Sequence, residues 1–394
     1  MRYAKLTGLL LMIIVLLFGA GLWLYQRPLP QLRAEVIAPQ TPVSTAIDLP
    51  WPSYGQAALG AAGFGVLVTN NTSSPAPIAS VAKAITALAI LKEKPLKPGD
   101  QGPQIVISTD DVQSYNDYLA KDGSVIPVSV GDQISQYQAL QAMMLPSANN
   151  IADTAARWAF GSVSAYVTYA NQFVNSLGMA QTHVADASGF SPQTTSTAKD
   201  LVQLAEVVLK NPVLAQIAGQ SEASFPGVGT IKNINYLLGA DGIVGIKTGN
   251  TDEAGGCFLF GAKRQVAGQT VTLIGAILGA PTRDQAMSDS RTLIQAADKG
   301  FEAITAINAN QVVGIYNLPW GGSAEAVVSN EIKVLNWRGK AVVTAPKLSD
   351  LEVPSFQGAV VGSIKAGNSD DAKIVPVVLR QPVAAPSWTW RLIR

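Results

Sequence analysis

The stretch Pro77-Ile78-Ala79-Ser80-Val81-Ala82-Lys83-Ala84-Ile85-Thr86-Ala87-Leu88-Ala89-Ile90-Leu91 holds one residue that its neighbours do not favour. Lys83 stands in an apolar run that reads as a helix over Ala79–Leu91, and burying its charge costs several kcal/mol unless it is paired or neutralised. Ser80 lies three residues earlier, so both side chains project from one face of the first turn. A desolvated lysine has a lowered pKa and can serve as a base near neutral pH. Ser80 at the helix N-terminus also places backbone N–H groups where an oxyanion can form. The plainer reading is a capping serine followed by a lysine that snorkels to the surface. The pattern alone does not choose. A second Ser-x-x-Lys, Ser196 to Lys199, precedes Asp200 and a helical run to Leu209, where it reads as an N-cap.

Two further segments carry weight. Ser147-Ala148-Asn149 follows Leu145-Pro146 and leads into an apolar helix from Ile151 to Phe160. Its residues also suit an ordinary loop and helix start. Ser114-Tyr115-Asn116 has the same form but no apolar helix after it. Gly245-Ile246-Lys247-Thr248-Gly249 is strand-like and flanked by Gly242 and Gly255-Gly256; read blandly, it is a basic residue entering a turn.

Composition narrows the chemistry. The chain has 394 residues, so two folded units with appendages are expected. Its 28 Lys and Arg balance 27 Asp and Glu, which gives no support for a nucleic-acid partner. One Cys excludes an intrachain disulfide, and one Cys with one His makes a Cys/His metal site untenable. A Ser–His–Asp triad would have to use His183. No metal or cofactor is implied.

Leu6 to Tyr25 is an uncharged apolar run of about twenty residues preceded by Arg2 and Lys5. That length spans a bilayer as a helix, and the early charges favour an N-terminus held inside. A cleaved signal peptide is the competitor, but bulky Leu22, Trp23 and Leu24 follow the small residues Gly19, Ala20 and Gly21. Either reading sends the remainder outside the cytoplasm. The expected order is a membrane anchor or signal segment over 1–26, a Pro-rich linker over 27–53 acting as an extended tether, and an α+β domain over 54–308. Within that domain Phe64–Val68 and Thr270–Leu278 read as strands, and Arg283–Ile304 as a helix. Short strand-like runs at Gln311–Tyr316, Glu325–Val328, Lys333–Trp337, Ala341–Thr344 and Ile374–Leu379 give a small all-β domain over 309–385. The tail, 386–394, carries Trp388, Trp390, Arg391 and Arg394, which suits a membrane interface or a disordered end.

Ser80-Val81-Ala82-Lys83, Ser147-Ala148-Asn149 and Lys247-Thr248-Gly249 match, in order, the three motifs of penicillin-binding proteins and serine β-lactamases. The context of the first motif and the continuation Asn250-Thr251-Asp252-Glu253-Ala254-Gly255-Gly256-Cys257 resemble the low-molecular-mass D-alanyl-D-alanine carboxypeptidases. Thr182–Phe190 and Ser196–Leu201 resemble further segments of that family. The resemblance covers roughly residues 54–308. It implies a β-lactamase/transpeptidase-like fold followed by the family's β-rich accessory domain.

That resemblance implies roles. Ser80 would attack the D-Ala–D-Ala carbonyl and form an acyl-enzyme, with Lys83 accepting its proton. Ser147 would relay a proton to the leaving amine, with Lys247 helping to hold the local charge. Asn149 would bond the acyl side, and Lys247 and Thr248, within the Lys-Thr-Gly of Gly249, would bind the terminal carboxylate. Backbone N–H groups of Ser80 and Asn250 would form the oxyanion hole. The implied partners are peptidoglycan stem peptides, β-lactams as covalent inhibitors, and the membrane. Departures are Asn250, where the family often has a larger side chain; Asp186, where Asn is common; and Ala148, where Gly is common. Cys257 reads as a buried small residue. A D,D-endopeptidase shares every motif. A class A β-lactamase would need a deacylating glutamate, and Glu206 reads as mid-helix. A non-catalytic wall-binding protein would be expected to have lost Ser80 or Lys83.

Overall fold

The apolar segment expected as a strand from Thr270 to Leu278 extends over Gln269–Ala280 and forms the centre of a five-stranded antiparallel sheet. On one side it pairs with Gln56–Ala61 and, beyond that, Gly65–Asn70. On the other it pairs with Gly255–Val266, which pairs in turn with the edge strand Ile243–Thr251. A computed structural model describes residues 2–394, and the chain forms two units, residues 46–302 and residues 1–45 with 303–394.

In the first unit the helix Ala82–Glu93 is buried from Ala82 to Leu91. A helix apolar on all sides belongs inside a core, and the helices Gln136–Met144, Asn149–Phe160 and Val163–Ser176 pack around this one. Lys83 therefore has no route to solvent and is fully buried. The helices Ala198–Lys210 and Arg283–Ala297 pack on the sheet.

Three local readings need correction. The helix expected over Ala79–Leu91 opens with a 3-10 turn, Ala79–Val81, before its α-helical body. The helix expected from Arg283 to Ile304 stops at Ala297. There Arg264 grips Asp298, a turn through Gly300 follows, and the aromatic and β-branched residues of Phe301–Ile307 form a strand. The N-cap near Ser196 is Thr197, whose side chain accepts the Asp200 amide.

The second unit has a six-stranded sheet in the order Ala34–Val36, Val312–Asn317, Ser323–Val328, Lys373–Leu379, Val360–Ala366, Thr344–Leu348. Phe301–Ile307 and Ile332–Trp337 form a two-stranded sheet. The strand expected at Ala341–Thr344 lies at Thr344–Leu348, and Val360–Ala366 was not anticipated. The Pro-rich segment is not wholly a free tether. Leu32 is 3% exposed within the β core, and Ala34–Val36 adds a strand against Tyr316–Gly314.

The N-terminal helix Arg2–Gln26 includes Lys5–Gln26, long and apolar enough to cross a membrane. The tail forms a short helix, Trp388–Ile393, capped by Ser387. Arg391 donates to the carbonyl of Tyr25, and Arg394 to that of Arg27.

Candidate active site

The turn Ala79–Val81 presents Ser80 at the head of the buried helix, and Ala79 adopts φ +46°. The Lys83 amine then meets three acceptors: Ser80 Oγ at 2.8 Å, Asn149 Oδ1 at 2.6 Å and the Ser188 carbonyl at 2.8 Å. Burial lowers its pKa to about 7, against the opposing pull of the carboxylates Asp186 and Asp153. Near neutral pH a large share of Lys83 is therefore an uncharged amine, within reach of the Ser80 proton.

Asn149 begins the helix Asn149–Phe160, and its amide is held by the Ser124 carbonyl at 2.7 Å. Two residues before it, Ser147 sits at φ +68° with its hydroxyl buried and without a hydrogen-bond partner among the described residues. A non-glycine residue held there stores strain, and an unmet hydroxyl costs about 1–3 kcal/mol.

Lys247, Thr248, Gly249 and Asn250 follow one another on the edge strand Ile243–Thr251. Lys247 is buried, and its amine donates to the Thr248 carbonyl at 3.1 Å. Burial first, then the positive charges of Lys83 and Arg283, hold its pKa well below the usual lysine range. Gly249 lets the strand approach closely. A Cβ there would stand 3.0 Å from Ala79 Cβ and 3.1 Å from the Ser80 nitrogen. The strand thus runs close against the Ala79–Val81 turn, and a side chain at 249 would press on it. Asn250 is exposed.

All eight site residues expected from the sequence lie in the first unit: Ser80, Lys83 and Asn149 are joined by hydrogen bonds, and Gly249 brings the edge strand against Ser80. The rivals fall elsewhere. Ser196 is buried against Thr182 Oγ1 at 2.7 Å while Lys199 is exposed. Ser114 lies within the helix Thr109–Leu119 and donates to Asp153 at 3.0 Å. Glu206 accepts the Gly63 amide and pairs with Lys210. His183 is exposed. Cys257 is buried, opposite Gly249 in the sheet, and burial pushes its thiol up to about 12.

Two features escaped the sequence reading. Arg283 lines a cavity of about 300 Å³ with Asn250, Pro281, Thr282 and Asp284. A cation in the first turn of a helix opposes the macrodipole, and that oddity was a usable signal. The second is a cavity of about 500 Å³ lined in part by Ser114, Tyr118, Asp153, Asp186 and Phe190.

A serine hydroxyl shared with a buried lysine at the foot of an edge strand, on this α+β scaffold, defines a serine-type peptidase of the penicillin-recognising class. The profile of the D-alanyl-D-alanine carboxypeptidase family matches residues 60–282, more than half of the chain, and the chain belongs to that family. It is 26% identical over 312 residues to the D-alanyl-D-alanine carboxypeptidase DacA of Escherichia coli, covering 76% of this chain and 75% of that protein. It is 31% identical over 206 residues to a D-alanyl-D-alanine endopeptidase of Pseudomonas aeruginosa, covering 49% of this chain and 62% of the relative. Among solved structures, a D-alanyl-D-alanine carboxypeptidase from Mycobacterium tuberculosis superposes with TM-score 0.56 at 25% identity, covering 66% of this chain and 96% of that one. Penicillin binding protein 5 from Haemophilus influenzae shares the fold, with TM-score 0.60 at 19% identity over 89% of this chain and 100% of that one.

Proposed function

We propose that the protein is a serine-type D-Ala-D-Ala carboxypeptidase that removes the terminal D-alanine from peptidoglycan peptides through an acyl-enzyme. The observation that carries this reading is the Lys83 amine, buried, with a pKa near 7 and 2.8 Å from Ser80 Oγ. Ser80 gives its proton to Lys83 and attacks the carbonyl of the D-Ala–D-Ala bond. The oxyanion that forms is held by the amides of Ser80 and Asn250. Ser147, whose hydroxyl has no partner among the described residues, passes a proton to the departing amine of D-alanine. Water then attacks the acyl-enzyme and releases the shortened peptide.

The substrate lies along the edge strand, with Asn149 bonding its acyl side. Its terminal carboxylate is received by Thr248 and Lys247, with Arg283 adding charge. Lys83 and Arg283 both disfavour the Lys247 ammonium, and an arriving carboxylate offsets that repulsion. We place this catalytic unit on the extracytoplasmic side of the plasma membrane, anchored by Lys5–Gln26.

Endopeptidase action on cross-linked peptides is the second reading, supported by the similarity to the Pseudomonas aeruginosa endopeptidase. The carboxypeptidase reading is favoured because the likeness to DacA spans 76% of the chain rather than 49%. Incubating the protein with a pentapeptide ending in D-Ala–D-Ala and, separately, with a cross-linked dimer tests both. Release of D-alanine from the first supports the proposal; cleavage of the dimer alone replaces it with the endopeptidase.

A further inference from the structure

Behind Lys83, one carboxylate organises a whole turn. Asp186 Oδ2 accepts from the Ser188 hydroxyl at 2.7 Å, the Phe190 amide at 2.9 Å and the Ser191 amide at 3.3 Å. Asp186 Oδ1 accepts from the Thr194 hydroxyl at 2.5 Å. The product of this bonding is the position of the Ser188 carbonyl, which receives the Lys83 amine at 2.8 Å. The turn has no slack on the other side: a Cβ on Gly189, at φ +74°, would stand 1.9 Å from the Ala79 carbonyl oxygen. Asp186 thus reaches the amine through Ser188, and Ser80 through the amine.

We propose that Asp186 is a positioning residue for Lys83: its carboxylate holds the Ser188 carbonyl against the amine and places a negative charge behind it. This deepens the reading of Lys83 as the base and rests on it for its catalytic consequence. The charged and titratable groups around the amine come from five elements. Asp186 stands on the turn, Asp153 on the helix Asn149–Phe160, and Lys247 on the edge strand. The hydroxyls of Tyr118 and Tyr166 lie nearby, held protonated by burial. Of the two carboxylates, Asp186 opposes the lowering of the Lys83 pKa more strongly than Asp153. Charge and geometry are separable here. An asparagine oxygen at 186 can accept the three bonds now made to Oδ2, while its amide donates to Thr194 Oγ1, which already accepts from the Ala185 amide. Asparagine keeps the turn and deletes the charge; alanine deletes both.

The test uses the full chain in detergent micelles, with lysine carrying ¹³C at Cε, and two readouts. One is the NMR titration of Lys83; the other is the acylation rate by a labelled penicillin as a function of pH. A neutral amine is the active form, and a nearby negative charge favours the protonated form. Asp186→Asn should therefore lower the Lys83 midpoint by about one pH unit and carry the acid limb of acylation down with it, the plateau rate staying within about threefold of wild type. Asp153→Asn should move both less. Asp186→Ala should slow acylation by about tenfold or more at every pH, because the Ser188 carbonyl loses its support. An unmoved midpoint in a folded Asp186→Asn protein overturns the proposal, as does a larger shift from Asp153→Asn. If the midpoint moves as expected while penicillin acylates neither protein, the placement of Asp186 stands and the reaction assigned to Ser80 falls.

Discussion

The Lys83 amine and the Ser80 hydroxyl oxygen lie 2.8 Å apart at the head of a helix that is buried from Ala82 to Leu91. A lysine in that position is in conflict with stability, and the conflict has a pH signature. Its pKa is about 7 in the folded chain against 10.5 for an ordinary lysine. Below about pH 7 both folded and unfolded chains hold the proton, and folding carries the full cost of a buried charge. Between about 7 and 10.5 the unfolded chain keeps the proton that the folded chain has released, so stability rises with pH.

The slope from one such group is at most about 1.4 kcal/mol per pH unit. Lys83→Met removes the group. Urea unfolding of the wild type and Lys83→Met at pH 7 and pH 9 should show the wild type gaining on the variant as pH rises. Acylation by penicillin should meanwhile rise with pH through about 7 in the wild type and be lost in Lys83→Arg, whose guanidinium stays protonated. A stability difference independent of pH would remove the depressed pKa from the argument.

Ser147 gives a prediction of opposite sign for stability and turnover. Its hydroxyl is buried without a hydrogen-bond partner. Ser147→Ala deletes an unmet polar group, so the melting temperature should stay level or rise slightly. The rate of D-alanine release should fall by roughly 10²–10⁴-fold, the usual worth of a positioned proton donor. A variant that loses stability instead would mark the hydroxyl as a structural bond.

Legibility in the sequence followed the range of the contacts involved. Ser80 and Lys83 share one turn, and Lys247 to Asn250 are consecutive on one strand, so both could be read as local patterns. Arg283 was missed because strand pairing, not local sequence, brings the end of Gln269–Ala280 beside Asn250. Asp186 was noticed as a departure in a family segment, but its four hydrogen bonds and its link through Ser188 to Lys83 belong to tertiary structure. Ala34–Val36 was read as tether since three residues among prolines show no period; the sheet edge on Val312–Asn317 supplies the partner that makes them a strand.

That strand makes the linker testable. Leu32 is 3% exposed and its carbonyl accepts the Leu351 amide at 2.8 Å, within a core that includes Val313 and Tyr316. Leu32→Ala should destabilise the β unit by about 2–5 kcal/mol, the cost of a buried leucine and the cavity it leaves. Penicillin acylation of the other unit should be little changed. Hydrogen exchange reads the two units separately, and equal protection of Val312–Asn317 in variant and wild type would return this segment to the status of a tether.

The proposed carboxylate site can be tested through Thr248 and Arg283 together. Thr248 is 3% exposed on the edge strand, and Arg283 lines the adjoining cavity with Asn250. Thr248→Val keeps the size of the side chain and deletes its hydroxyl. The loss of a hydrogen bond to a charged partner, about 1.5–3 kcal/mol, corresponds to roughly a ten- to hundredfold drop in kcat/KM on a peptide ending in free D-alanine. Arg283→Gln should lower the same quantity and raise the pKa of Lys247, because one of the positive charges depressing it is gone. A substrate amidated at its C-terminus presents no anion. It should be poor with the wild type and nearly indifferent to both substitutions. Equal losses on the free and amidated peptides would show that Thr248 and Arg283 hold the strand and the helix start in place, and the carboxylate would have to be received elsewhere along the strand.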